Sequence, residues 1–374
     1  MTIWLSAGEP SGDRWAARLA AAVVRREPGV RLVGMVGPAM RCAGVDGIDA
    51  PEGGVMGFAE PLRRARALAR TYRAACALLE RERPAVSVVI DYPDFHLRLL
   101  RRIGALGIPA ISYIPPQVWA WRSGRAKVVA RRSAYVVPAF AWERAWFAPH
   151  LPPGRVVWLG HPLADDLPPA DDSPPADDHP PAEGPVALLP GSRRSEIVRL
   201  APILAAAAAR AGGDAVFVVH GPEAADWVRA AAGQAVPIVA GCTLDVLAGA
   251  SAAVVCAGSA TLEAACSGIP MIVVYQTDRL TWMLARRLVH VPWCGLPNVI
   301  LGREAYPELV QDRLTTDSLV AALEAVRREP RERWRALGAR VRTSLGESGV
   351  ADRVAGLVLH VAGRTPGDER EGAR

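Results

Sequence analysis

Short apolar runs and helical stretches alternate along this chain in two separate series, and a proline–aspartate repeat divides them. In the first series the spacing predicts strands at 2–6, 31–36, 86–90, 109–113, 134–137 and 156–159. Helical patterns at 13–26, 61–82, 95–106 and 123–131 fall between them. In the second series strands are expected at 186–189, 215–219, 236–239, 253–256 and 271–275, with helices at 194–211, 222–232, 243–250 and 260–267. Charged helical stretches follow at 316–328 and 330–344. Such alternation specifies parallel sheets covered by helices on both faces. Between the series, residues 168–183 read PPADDS, PPADDH, PPAE. Proline pairs exclude helix and central strand and the acids repel one another, so the segment is expected to be an extended, solvated spacer. The division is therefore an α/β Rossmann-like domain over 1–165, a linker over 166–185, a second Rossmann-like domain over 186–345, and a terminal segment over 346–374 whose polar end is frayed.

A chain of 374 residues, 51% hydrophobic and 22% charged, has apolar material for two cores and is not disordered. Its net charge of +6 is concentrated in the first half, which suits an anionic partner, although most of those arginines read as exposed helix faces. The six cysteines have no C-x-x-C spacing and are expected to be buried thiols of a reducing compartment. No histidine pattern signals a metal. The N-terminus lacks a signal-peptide pattern and no run is long enough to span a bilayer, so a cytoplasmic protein is expected, with room for a peripheral membrane contact.

Open parallel sheets bind ligands at the carboxyl ends of their strands, so the residues after each strand carry the functional information. Ser6-Ala7-Gly8-Glu9-Pro10-Ser11-Gly12-Asp13 follows the first strand. Its glycines permit a tight turn and close approach to a ligand, and spacing alone leaves open whether Ser11 or Asp13 simply caps the next helix. It is not G-x-G-x-x-G, which weakens a nicotinamide reading. Asp91-Tyr92-Pro93-Asp94 follows VSVVI. Asp91 leaves the sheet edge first and is the candidate general base, whereas Asp94 reads as a helix cap. Next comes Pro115-Pro116-Gln117-Val118-Trp119-Ala120-Trp121-Arg122 with Arg125. Here an aromatic face can pack against a sugar or acyl group and two arginines can hold a phosphate, while one tryptophan is expected to be core filler.

In the second series Gly191-Ser192-Arg193 forms a glycine turn at a helix start and Gly258-Ser259-Ala260-Thr261-Leu262-Glu263 forms another. Either alone is a capped helix as readily as a ligand site. Two at equivalent strand ends point to a nucleotide diphosphate, with Glu263 reaching ribose hydroxyls. Neither is a P-loop, since the required lysine is absent. Asn298, in a loop with Gly295, Arg303 and Gln311, is a substrate contact or a turn residue.

Together, AGEPSGD, VMGF at 55–58, IDYPDF, VWAWR, GHPLAD at 160–165, LLPGSRRSEI, GSATLEA and LPN with GRE and PEL resemble the lipid-A-disaccharide synthases, in order from residue 6 to residue 311. The chain departs from the family at Pro115-Pro116, often Ser-Pro, at His96, usually Asn, and at Cys294-Gly295, where bulkier or hydroxyl residues are usual. The resemblance implies a GT-B fold, two Rossmann-like domains with parallel sheets facing a cleft. It implies metal-free, cofactor-free, inverting transfer of 2,3-diacylglucosamine from UDP-2,3-diacylglucosamine to 2,3-diacylglucosamine 1-phosphate. It also implies peripheral association with the inner membrane and a homodimer.

On this reading Asp91, Glu9 and Asn298 are the catalytic candidates. Gly191, Ser192, Arg193, Gly258, Ser259, Thr261 and Glu263 hold the UDP-sugar, and Ser11, Trp121, Arg122 and Arg125 serve the acceptor. The rival readings are a UDP-sugar epimerase, a transferase with a soluble acceptor, and a noncatalytic nucleotide-sugar binder. Nucleic-acid binding has no motif in its support.

Overall fold

The structure, a computed structural model, describes residues 1–50, 60–168 and 184–363. The VMGF motif, all but the first residue of the proline–aspartate repeat, and the chain's last eleven residues lie outside it. The chain divides into two compact units, Met1–Asp165 with Leu345–Arg374, and Asp166–Ser344.

The first unit runs β1 (Thr2–Ala7), α1 (Pro10–Arg26), β2 (Arg31–Val36), α2 (Pro38–Cys42), β3 (Asp46–Asp49), α3 (Glu60–Glu82), β4 (Val86–Ile90), α4 (Pro93–Ala105), β5 (Ala110–Tyr113), α5 (Arg125–Arg132), β6 (Tyr135–Val137) and α6 (Arg144–Phe147). Its six strands are all parallel, in the order β3-β2-β1-β4-β5-β6. Every residue of β4 is buried, as a strand covered on both faces must be. The apolar stripe of α3 packs Leu68, Tyr72, Ala75 and Leu79 onto a core shared with Trp4, Val89 and Leu99. This helix therefore covers the sheet, and Arg66, Arg70, Arg73 and Arg81 lie exposed off that stripe.

The second unit runs β7 (Val186–Leu189), α7 (Arg194–Ala211), β8 (Ala215–Val219), α8 (Pro222–Ala232), β9 (Ile238–Ala240), α9 (Thr243–Ala248), β10 (Ala252–Cys256), α10 (Ala260–Cys266), β11 (Met271–Tyr275), α11 (Arg279–Leu288), α12 (Leu296–Leu301), β12 (Glu308–Val310), α13 (Thr316–Arg328) and α14 (Arg331–Leu345). The strands are again all parallel, ordered β12-β11-β10-β7-β8-β9. The last helix, α15 (Val350–Ala362), returns to the first unit.

That return explains the GHPLAD motif. Asp165 accepts the backbone N–H groups of Val350 and Ala351, both at 2.8 Å, so it neutralises the free N-terminal donors of α15. His161 N–H donates to Leu345 O at 2.7 Å, and Arg353 Nε donates to Leu159 O at 3.0 Å. The motif is a clasp for the returning chain.

Three sequence expectations change. Residues 156–159 form no strand and contribute one isolated bridge, Val156 to Val136. The polar edge strand β3 and the three-residue β12 escape hydropathy patterning because edge and very short strands carry little of it. Residues 350–362 are an ordered helix, where only a terminal segment was expected. In addition, Cys42 and Cys242 are exposed rather than buried, while Cys256 is buried as expected.

Candidate active site

In the first sheet the chain proceeds outward from β1 through β2 to β3, then crosses over to β4 and runs to the other edge. The reversal between β1 and β4 is a topological switch point, where connections diverge and leave a crevice at the strand ends. The segments after these two strands are the Gly8–Ser11 turn and the Asp91–Asp94 turn. The fold thus brings together two motifs separated by about eighty residues.

Asp91 and Tyr92 both adopt left-handed backbone, with φ of 50° and 53°. Such conformations in non-glycine residues persist only where surroundings enforce them, and they concentrate at functional sites. Ile114 and Arg122, after the adjacent β5, are left-handed too. Asp91 itself is half-buried. His96, on α4, donates from Nδ1 to the Asp91 carbonyl oxygen at 2.5 Å and contacts Ser6 Oγ through Nε2 at 2.8 Å. Burial holds its pKa down at about 4, so the ring is neutral.

Neither Ser11 nor Asp13 caps α1. Glu9 occupies the cap position and Ser11 lies half-buried in the first turn. Asp13 reaches across to accept N–H bonds from Gly37, Ala39 and Met40 at 2.8–3.1 Å, tying α1 to the start of α2. Asp94 also differs from its expected role, since Tyr92 is the cap residue of α4 and Asp94 pairs with Arg125. Arg122 lies 3.9 Å from the same carboxylate. Both guanidinium groups lie over the Trp121 ring, at 4.5 and 5.1 Å from its centroid. Trp121, Arg122, Arg125 and Asp94 are thus one cluster, with Asp94 and Arg122 exposed and the Arg125 side chain largely buried beneath them. Trp119 is the core tryptophan, buried and donating from Nε1 to Glu143 at 2.7 Å.

The second sheet reverses between β7 and β10, and the two glycine turns follow these neighbouring strands. Gly191, at φ 109°, lies so near Cys256 that an added Cβ would come 3.2 Å from its sulfur. The anion seat of this turn is already taken. Ser192 and Arg193 donate backbone N–H to Glu196 Oε2, both at 3.2 Å, and the Arg193 guanidinium pairs with Glu196 Oε1 at 3.2 Å. The Arg193 side chain is half exposed.

At the other turn Gly258 is exposed and Ser259 half-buried, and no heavy atom lies within 4 Å of an added Gly258 Cβ. Thr261 is fully buried and its hydroxyl donates to Gly258 O at 2.6 Å, so here it shapes the turn. Glu263 sits one turn into α10 and is 4% exposed.

Asn298 is also corrected. It is fully buried, donates from Nδ2 to Tyr306 O and Glu308 Oε1 at 2.8 Å, and accepts from the N–H groups of Ala305 and Tyr306 through Oδ1. Its amide has no capacity left for substrate. Glu308, which sequence reasoning missed, is the hub of this loop and also accepts N–H from Cys294 and Gly295. A buried carboxylate among backbone donors has no sequence signature beyond the PEL motif itself.

Comparison with known proteins gives a consistent result. The profile of the lipid-A-disaccharide synthetase family matches residues 3–352. The chain is 33% identical to the lipid-A-disaccharide synthase of Geobacter metallireducens over 97% of each chain. It is 36% identical to that of Anaeromyxobacter dehalogenans over 96% of this chain and 97% of the relative. Its fold is similar to a UDP-N-acetylglucosamine 2-epimerase from Listeria monocytogenes, with TM-score 0.64, 12% identity and 94% of each chain covered. It is also similar to MurG of Acinetobacter baumannii, with TM-score 0.54, 13% identity and 96% and 99% covered. These structural likenesses identify the architecture as GT-B, two Rossmann-like α/β units.

Proposed function

The chain belongs to the lipid-A-disaccharide synthetase family and is a UDP-sugar glycosyltransferase of lipid A biosynthesis, and from that premise we propose that it transfers 2,3-diacylglucosamine from UDP to the 6-hydroxyl of 2,3-diacylglucosamine 1-phosphate with inversion. The observation that carries this reading is the position of Asp91, in an enforced left-handed turn at the switch point of the first sheet.

In the proposed step Asp91 accepts the proton of the acceptor hydroxyl as its oxygen bonds to the anomeric carbon. The bond from that carbon to the diphosphate breaks, and UDP departs with the electron pair. A single displacement inverts the anomeric centre. Arg193 leaves Glu196 for the diphosphate, Gly258 and Ser259 line its seat, and Glu263 meets the ribose. Arginine beside a developing phosphate charge stabilises the transition state more than the ground state. Glu9 and Ser11 border the same turn as Asp91, and the Trp121, Arg122 and Arg125 cluster receives the acceptor phosphate.

The acylated substrates call for a lipid surface, and α11 offers one. Leu280 and Met283 are 64% and 56% exposed, and Leu288 and Val289 are also exposed. Arg279, Arg286 and Arg287 lie on the same helix, and no acidic residue occurs from Arg279 to Arg303. Exposed apolar side chains among arginines match the anionic surface of the inner membrane. Among the described residues no helix is long and apolar enough to cross a membrane.

The deciding experiment measures UDP release from UDP-diacylglucosamine with and without the monosaccharide acceptor. Release that requires the acylated acceptor and yields the inverted disaccharide supports the assignment. Release that does not require the acceptor, or retention at the anomeric centre, overturns it.

A further inference from the structure

His96 is buried inside the first unit, yet every polar atom of its ring is engaged with the turn that carries Asp91 or with the strand beside it. A carbonyl oxygen only accepts, so the contact from Nδ1 to Asp91 O fixes the proton on Nδ1. The ring is neutral, so Nε2 is an acceptor and the Ser6 hydroxyl donates to it. One tautomer thus satisfies both contacts.

The bridge spans the switch point. Ser6 lies on β1 in register with Val89 of β4, and the Asp91–Tyr92 turn begins where β4 ends. The backbone N–H of His96 also donates to Tyr92 O at 3.0 Å, and the imidazole meets the Tyr92 ring edge-on at 6.0 Å. The His96 side chain therefore holds the turn at the Asp91 carbonyl and the Tyr92 ring, while its backbone N–H makes the first helical bond to the Tyr92 carbonyl. Two consecutive left-handed residues need such over-determination. Its absence would let the turn relax and move the Asp91 carboxylate. A displacement of about 1 Å in a reacting group costs on the order of 100-fold in rate.

We propose that His96, bridging the Ser6 hydroxyl to the Asp91 carbonyl as the Nδ1–H tautomer, is a positioning residue that fixes the reactive geometry of Asp91. It touches no substrate and acts only through the turn. The inference rests on the assignment of Asp91 as base, and the experiment separates the two.

Turnover, donor KM and Tm are measured for His96→Ala, His96→Asn, Ser6→Ala, Asp91→Asn and the His96→Ala/Asp91→Asn double variant. An asparagine amide can still donate to the Asp91 carbonyl, whereas alanine cannot. Folded His96→Ala is expected to lose at least tenfold in kcat with donor KM within twofold. His96→Asn should recover most of that loss, and Ser6→Ala should lose severalfold. In the Asp91→Asn background, His96→Ala should add no further loss, because the group it positions is gone. Multiplied losses in the double variant, or normal kcat in His96→Asn and Ser6→Ala together with no loss in a folded His96→Ala, overturn the proposal. Should His96→Ala fail to fold, Ser6→Ala decides, and normal kcat there overturns it. Near-normal kcat in Asp91→Asn sinks the base assignment. A crippled Asp91→Asn beside a normal His96→Ala sinks only the positioning role.

Discussion

The ring of Tyr92 occupies the space that a side chain on residue 8 would need. A Cβ built on Gly8 falls 2.2 Å from Tyr92 Cδ1. Gly8 follows β1 and Tyr92 follows β4, so this contact closes the switch point of the first sheet. Gly8→Ala must push the ring and its left-handed backbone aside. We expect a stability loss of about 1–3 kcal/mol and a fall in kcat larger than the loss of folded protein explains. Gly124→Ala is the control, since no heavy atom lies within 4 Å of its added Cβ. Equal behaviour of the two variants in thermal melts and turnover assays would rule out the packing argument.

Asp91→Asn keeps size and polarity but cannot take a proton. A positioned base contributes about 10²–10⁴-fold, so kcat should fall by that order while UDP affinity, assigned to the second unit, and Tm hold. Calorimetric titration with UDP and single-turnover kinetics on one preparation make the check. Loss of Tm in parallel with activity would point to a structural role instead.

Asn298→Ala should behave in the opposite way. It strands the N–H groups of Ala305 and Tyr306 and removes a donor from buried Glu308. Unmet buried groups cost about 1–3 kcal/mol each, so denaturant midpoints should drop substantially. Folded protein should retain turnover within a few-fold. A collapse of kcat at unchanged stability would restore Asn298 to the catalytic list.

Acid should reveal His96. Its folded pKa of about 4 lies below the ordinary 6.5 because burial disfavours the charged ring. Between those values the unfolded chain binds the proton and the native protein does not. The contribution is therefore complete above pH 6.5 and is lost as pH falls toward 4. Relative to His96→Asn, the wild-type protein should lose at most about 3.5 kcal/mol over that window, from about 1.4 kcal/mol per pH unit. Taking the difference between the two proteins cancels other groups that titrate there, such as Glu143, raised to about 7 by burial. Parallel stability curves for the two proteins would mean that the ring is not buried neutral.

Replacing Leu280 and Met283 with serine and Arg286 and Arg287 with glutamate should weaken flotation with anionic vesicles severalfold while leaving Tm unchanged. Wild-type binding should itself weaken with added salt, because exposed charge is screened. Charge reversal of Arg66, Arg70 and Arg73 in α3 should matter less, given that the apolar stripe of that helix faces the core. If only the α3 variant detaches, the membrane face is misassigned.

Much of this protein is legible in its sequence. Runs such as VSVVI and VALL are too uniformly apolar for a half-exposed strand, and their alternation with amphipathic stretches leaves parallel α/β as the solution. The start of α7 at Arg194 and of α13 at Thr316 matches expectation because each follows a clear local signal. The motifs after β1, β4, β7 and β10 were recognisable because function at strand ends uses glycine, proline and short polar residues, which local pattern exposes.

What the sequence could not supply is which of those residues have capacity left for a ligand. Thr261, Asn298 and the N–H groups at Ser192 and Arg193 carry the right chemistry, yet their hydrogen bonds are already made within the fold. The pairing of Ser6 with His96 and the clasp of Asp165 on α15 join residues 90 and 185 positions apart. Local propensity acts over a few residues, whereas hydrogen-bond saturation, burial and a pKa displaced by burial depend on which distant segments pack together. The chain's own pattern determined the two sheets and the places where chemistry is possible. Tertiary packing decided which side chains there are locked into structure and which stay open.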